Sequence, residues 1–219
     1  LVWRPDPSNA VRLLLSEFVS AAGAAQRHNR RFEDALRRFE NLSKIKNTLE
    51  LAQPRLAKSI TEFDTDPMLF AAGNTWIDLK TGQPVTPQAN TLVSLSARAK
   101  FDPNAEYPEF ESFLHEIFLG DTELISFVQR VVGYALTGRI DEQCFFPMNG
   151  DGANGKSTLL NILSKLMGDY SKTAAATTLM ANQREGVGDD LIHLTGARMI
   201  TVSETDKDQP LAEAKLKRM

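Results

Sequence analysis

Val11, Leu14, Leu15, Phe18, Val19 and Ala22 fall three or four residues apart, the spacing that gathers apolar side chains on one face of an α-helix, with Pro7-Ser8 ahead of them as a start signal. Phe32, Ala35, Leu36 and Phe39 predict a second helix. Leu42, Ile45, Leu49 and Ala52 predict a third, which Pro54 is expected to stop because it lacks an N–H and crowds the preceding turn. All three stripes read as core-facing. The period then shortens: Met68-Leu69-Phe70-Ala71 and Thr75-Trp76-Ile77-Asp78-Leu79, joined by Ala72-Gly73-Asn74 and followed by Thr81-Gly82, read as a small β-hairpin. Helical spacing returns with Phe110, Phe113, Leu114, Ile117 and Phe118. Asp121 caps a further helix carrying Ile125, Val128, Val132 and Ala135, with Gly138 as its stop signal.

The most specific chemistry lies further on. Gly150-Asp151-Gly152-Ala153-Asn154-Gly155-Lys156-Ser157 fits the G-x-x-x-x-G-K-S/T pattern, between an apolar run at residues 144–148 and a helix-patterned run at 158–167. Strand, glycine loop and helix in that order form a phosphate cradle. Glycines let the backbone curl so that its N–H groups face phosphate oxygens, and a helix N-terminus adds a favourable dipole. Residues Gly150 to Thr158 are therefore the expected nucleotide-binding set, with Lys156 reaching the β- and γ-phosphates of ATP and the Ser157 hydroxyl ligating Mg²⁺.

After the loop, α and β patterns alternate. Gly168 ends the helix, residues 191–194 form a short apolar segment closed by Gly196, and Met199-Ile200-Thr201-Val202 reads as a buried strand ending at Ser203-Glu204. A carboxylate at the tip of such a strand is where P-loop ATPases hold Mg²⁺ and the attacking water, so Glu204 joins Lys156 as the expected catalytic pair. Pro210 opens a last helical run that carries Lys217.

Composition changes this picture little. With 219 residues and 42% hydrophobic content the chain can bury a core in one large or two small domains. No apolar stretch approaches a membrane span, and the start, which lacks a Met, has no signal-peptide shape; a cytoplasmic location is expected. The lone Cys144 excludes an internal disulfide and reads as a space-filler on the strand before the loop. His28, His115 and His193 have no partner at metal-ligand spacing. Net charge is −3, yet residues 27–58 hold nine basic side chains against four acidic ones. That surplus suits either a face that follows a nucleic-acid backbone or a solvated helix surface with i,i+4 pairs.

Gly133-Tyr134-Ala135-Leu136-Thr137-Gly138, the loop with Asn154-Gly155-Lys156-Ser157-Thr158, and the run from Gly196-Ala197-Arg198 to Ser203-Glu204-Thr205 resemble the phage and plasmid primase-helicase family, whose ATPase is a superfamily 3 helicase. Ala72-Gly73-Asn74-Thr75-Trp76-Ile77-Asp78-Leu79 and Tyr107-Pro108-Glu109-Phe110 resemble its upstream region, related to poxvirus-type primase-helicases. The likeness begins near Asp66. Residues 1–65 are assigned by position alone.

The resemblance implies an α/β fold: a P-loop NTPase of the AAA+-like superfamily 3 kind, incomplete, over residues 139–219, preceded by a mainly helical region with a small hairpin over 1–138. It implies an ATP-driven DNA helicase of DNA replication, homo-hexameric in its full-length form, with Lys156 and Ser157 on ATP and Mg²⁺ and Glu204 as the second acidic motif. Lys217 falls near the family's DNA-contacting hairpin, although helix-surface solvation explains a lone lysine as well. Two residues depart from the pattern. Pro147 removes a ladder hydrogen bond from the strand before the loop, and Ser203 stands where many P-loop ATPases place an aspartate. The chain reads as C-terminally truncated, without a primase half, a polar sensor or a finger arginine, and is expected to be poorly stable and inactive alone. A different P-loop enzyme, such as a small-molecule kinase or a DNA-packaging ATPase, and a non-catalytic nucleotide-binding module are the alternatives.

Overall fold

The computed structural model describes residues 2–6, 9–25, 30–39, 41–88, 90–175 and 193–202. The chain forms two compact units, Arg4–Glu62 and Leu1–Trp3 with Phe63–Met219.

The first unit is helical. α1 (Ala10–Ala25), α2 (Arg30–Phe39) and α3 (Leu42–Leu56) pack on one another, with Val19 and Ile45 buried. Pro7 and Ser8 lie outside the described residues; the observed cap is Asp6, whose carboxylate accepts from the N–H groups of Ala10 and Val11 at 2.8 and 3.0 Å. Asn41 does the same for α3 through Ser43 N–H at 2.9 Å. Two expectations need correction. Pro54 does not stop α3, which runs on to Leu56; in the last turn the ring costs one hydrogen bond and little else. Nor is the α1 stripe wholly core, since Val11, Leu14 and Phe18 are exposed while Val19 is buried. Three short helices enclose little interior, and half of the α1 stripe stays outside it.

The second unit opens with an antiparallel meander of β1 (Leu69–Ala71), β2 (Trp76–Asp78) and β3 (Gln83–Val85), so the expected hairpin gains a strand. β3 contains Pro84, which a sheet tolerates at an edge, and β3 is an edge. α4 (Pro108–Ile117) starts on a proline, and α5 (Thr122–Leu136) is capped by Asp121, which accepts from Leu124 N–H at 2.9 Å. α6 (Lys156–Met167) leads through a 3₁₀ turn, Gly168–Tyr170, into β4 (Ser171–Ala174), which pairs in parallel with β5 (Met199–Val202).

An extended strap at residues 93–99 ties these parts together. Ala97 N–H donates to Ala71 O at 2.8 Å, Gly73 N–H donates to Ala99 O at 2.8 Å, and Ser96 exchanges two bonds with Asp169, each 3.1 Å. On the strap's inner side Phe70, Ala97, Met167 and Tyr170 form a buried cluster, with the rings of Phe70 and Tyr170 stacked at 4.7 Å. The Tyr170 hydroxyl accepts from Ala71 N–H and donates to Leu95 O, both at 3.1 Å, so a polar group buried among apolar neighbours keeps its partners. The meander is thus joined to the C-terminal end of α6. Among the described residues no helix is long and apolar enough to cross a membrane.

Candidate nucleotide-binding site

The glycine loop leads directly into α6. Gly155 is its N-cap with φ of 82°, Ala153 has φ of 60° and Gly150 has φ of 153°, so the backbone turns through conformations that L-residues rarely adopt. Such a path turns consecutive N–H groups toward one concave side, an arrangement that suits anions. The first backbone bond of the helix runs from Leu159 N–H to Gly155 O at 2.9 Å. The N–H groups of Lys156, Ser157 and Thr158 precede it and have no place in the intrahelical ladder.

Lys156 folds over this loop. Its ammonium donates to Gly150 O at 2.7 Å, to Asp151 O at 3.0 Å and to Asn154 Oδ1 at 2.8 Å. The expected members Gly150, Asp151, Gly152, Ala153, Asn154, Gly155 and Lys156 therefore sit together around one cation, with Ser157 and Thr158 exposed on the first turn of α6. Asn149 supports the entry, its Oδ1 accepting from Gly150 N–H at 2.9 Å. Beside the carbonyls that hold Lys156 and the exposed Asp151 carboxylate, the loop and the first turn of α6 offer an ammonium, backbone amides, a side-chain amide and hydroxyls. That set fits a polyphosphate.

The loop is braced from behind by α4. A Cβ built on Gly155 would come within 2.4 Å of Ile117 Cγ2 and 3.5 Å of Phe113 Cε2. Sequence spacing marked Phe113 and Ile117 as a helix face but gave no sign of what that face meets.

The run at 144–148 is not a strand, contrary to expectation. These residues are exposed, Cys144 among them, and among the described residues they join no ladder; Phe146 meets Phe127 edge-on, centroids 6.3 Å apart. A strand exists only with a partner to complete its hydrogen bonds, and Pro147 withholds one donor. Cys144 therefore fills no interior space here. Glu204 and Lys217 lie outside the described residues, the last of which is Val202 of β5. A shallow depression of about 310 Å³ over Thr122, Glu123, Ser126 and Arg130 on α5 shares no residue with the loop.

Arg198, part of the run from Gly196 to Thr205, is a half-buried tie. Its guanidinium donates to Leu136 O and Leu69 O, each at 2.7 Å, joining the end of α5 to β1 at the entrance of β5. Burial lowers its pKa, an effect opposed by Tyr170, Asp64 and Asp66.

A family model described as D5 N terminal like matches residues 1–119, more than half of the chain. The chain belongs to the D5 N-terminal-like family. It is thereby placed with the D5-like primase-helicases of phages and plasmids, a family associated with DNA replication. The match takes in residues 1–65, which resemblance alone left unassigned, together with the meander and α4, and it ends before α5 and the glycine loop. Ile117 of the D5-like stretch is thus the residue that backs Gly155 of the loop. A comparison with curated proteins found no match.

Proposed function

We propose that this D5-like chain binds ATP with Mg²⁺ at residues 150–158 and belongs to a superfamily 3 DNA helicase that unwinds DNA as a hexamer during replication. The observation that carries the reading is the Lys156 ammonium held by Gly150 O, Asp151 O and Asn154 Oδ1 at the head of α6. A lysine placed there by a positive-φ loop can neutralise phosphate charge while the helix N-terminus supplies amide donors. Topology adds support. α6 packs on β4 and leads into it through a three-residue turn, and β4 pairs in parallel with β5, the order of loop, helix and parallel strand that phosphate-binding α/β folds use.

In this reading Lys156 holds the β- and γ-phosphates, Ser157 offers its hydroxyl to Mg²⁺, and Glu204, following β5, orients and deprotonates water. Bound ATP with Mg²⁺ supplies the phosphoryl group and the charge that polarises it. An AAA+-like P-loop core would need a partner strand for residues 144–148, and Lys217 would lie toward DNA. Titration of the chain and of Lys156→Ala with Mg-ATP by calorimetry tests the reading. The substitution is expected to weaken binding by at least about tenfold, the effect of losing a charge-assisted phosphate contact. Equal affinity for both would dismiss the nucleotide site.

A further inference from the structure

An ammonium group has three N–H donors, and in Lys156 all three are taken by the loop itself. A phosphate can engage this cation only if one acceptor lets go. Two of the three are backbone carbonyls, of Gly150 and Asp151, in a loop whose path is set by positive-φ residues and whose rear is closed by Ile117 and Phe113 against Gly155. The third, Asn154 Oδ1, belongs to a half-buried side chain, which can withdraw by rotation about its own torsions without a change in the backbone. The Asn154 amide also covers the inner face of Gly150, since a Cβ built there would meet Asn154 Nδ2 at 2.4 Å.

Resting on the nucleotide reading above, we infer that Asn154 is a positioning residue that latches Lys156 in competition with phosphate, so that nucleotide entry is coupled to release of the Asn154–Lys156 hydrogen bond. The backbone does not need to move. Only the Asn154 side chain turns away, and Lys156 swings its freed N–H onto a phosphate oxygen. The latch sets the affinity of the loop by stabilising the arrangement in which Lys156 is already satisfied.

A double-mutant cycle on the 219-residue chain, read by Mg-ATP affinity, tests the coupling. Asn154→Ala is expected to tighten Mg-ATP about threefold to tenfold, the net worth of one hydrogen bond that no longer has to be broken. The same substitution in Lys156→Ala is expected to change nothing. The near-isosteric Asn154→Asp, which keeps the loop's shape and grips the ammonium harder, is expected to weaken binding at least about tenfold. Tightening in both backgrounds would reduce Asn154 to an obstruction, and weakening by Asn154→Ala would make it a phosphate donor; either overturns the latch. Lys156-dependent binding that Asn154→Ala leaves unmoved overturns the latch alone. An unsubstituted chain that binds no better than Lys156→Ala overturns the nucleotide reading and the competition together.

Discussion

Arg198 lies over the ring of Tyr170, its guanidinium carbon 4.6 Å from the ring centroid, while its nitrogens reach the carbonyls of Leu136 and Leu69 at 2.7 Å. Among the described residues no carboxylate pairs with it directly; it is held by carbonyls, including one at the C-terminal end of α5, where a helix favours positive charge. Arg198→Ala should therefore cost about 2–4 kcal/mol, because two charge-assisted bonds and a cation–π contact vanish together. Arg198→Lys should recover less than half, since a point ammonium cannot both stack and fork. Urea midpoints at constant slope report the loss, and a change under about 0.5 kcal/mol for Arg198→Ala would deny the tie its role.

Tyr170 itself senses alkaline pH. Burial raises its phenol above the ordinary value of 10.0, with the Ala71 hydrogen bond and Arg198 pulling the other way. The unfolded chain then loses the proton first as pH rises, so the native state holds more protons and stability declines. The contribution is whole below pH 10 and is lost from there upward toward the folded pKa, at no more than about 1.4 kcal/mol per pH unit. Comparison with Tyr170→Phe isolates the effect from other titrating groups. The stability difference between the two proteins should shrink above pH 10 in favour of the phenylalanine variant, and a constant difference would mean that the phenol titrates normally.

Glycines 82 and 168 offer a test of packing against conformation. Both have positive φ, 69° and 58°, yet a Cβ on Gly82 meets nothing within 4 Å, whereas one on Gly168 meets Arg98 N and Ser96 O at 2.8 Å. Gly82→Ala should cost only the left-handed penalty, about 1 kcal/mol. Gly168→Ala should cost about 1–3 kcal/mol more, because backbone atoms of the strap have to move. Equal losses in urea denaturation would show that the strap yields freely.

What could be read from the chain divides along a physical line. α4, α5 and α6 were legible because each carries its own stripe, and α5 and α6 also a terminus of their own, Asp121 or Gly168, so local chemistry decides them. The loop was legible for the same reason: its glycines and lysine dictate their own conformation. The strap at 93–99 was not, since its partners are Ala71, Leu166 and Asp169, far away in sequence and without periodic signature. Pro84 masked β3, a strand permitted only by its edge position. Residues 144–148 erred the other way, for strand-like composition promises a strand only where another strand waits to pair.

The last prediction separates binding from chemistry at the end of β5. Glu204 lies two positions after Val202 in sequence, β5 pairs in parallel with β4, and the proposed reading puts the Glu204 carboxylate beside the attacking water. Glu204→Gln keeps the size and the hydrogen-bonding reach of the side chain but removes the charge that would accept a proton. A group used only in the transition state can be removed with little effect on ground-state binding. On the proposed reading, Glu204→Gln in the natural full-length protein should leave Mg-ATP affinity within a few-fold and lower phosphate release by about 10²-fold or more. Calorimetry and steady-state phosphate release measure the two quantities separately. Loss of affinity in step with turnover would make Glu204 a binding residue, and unchanged turnover would leave it an ordinary turn residue after a strand.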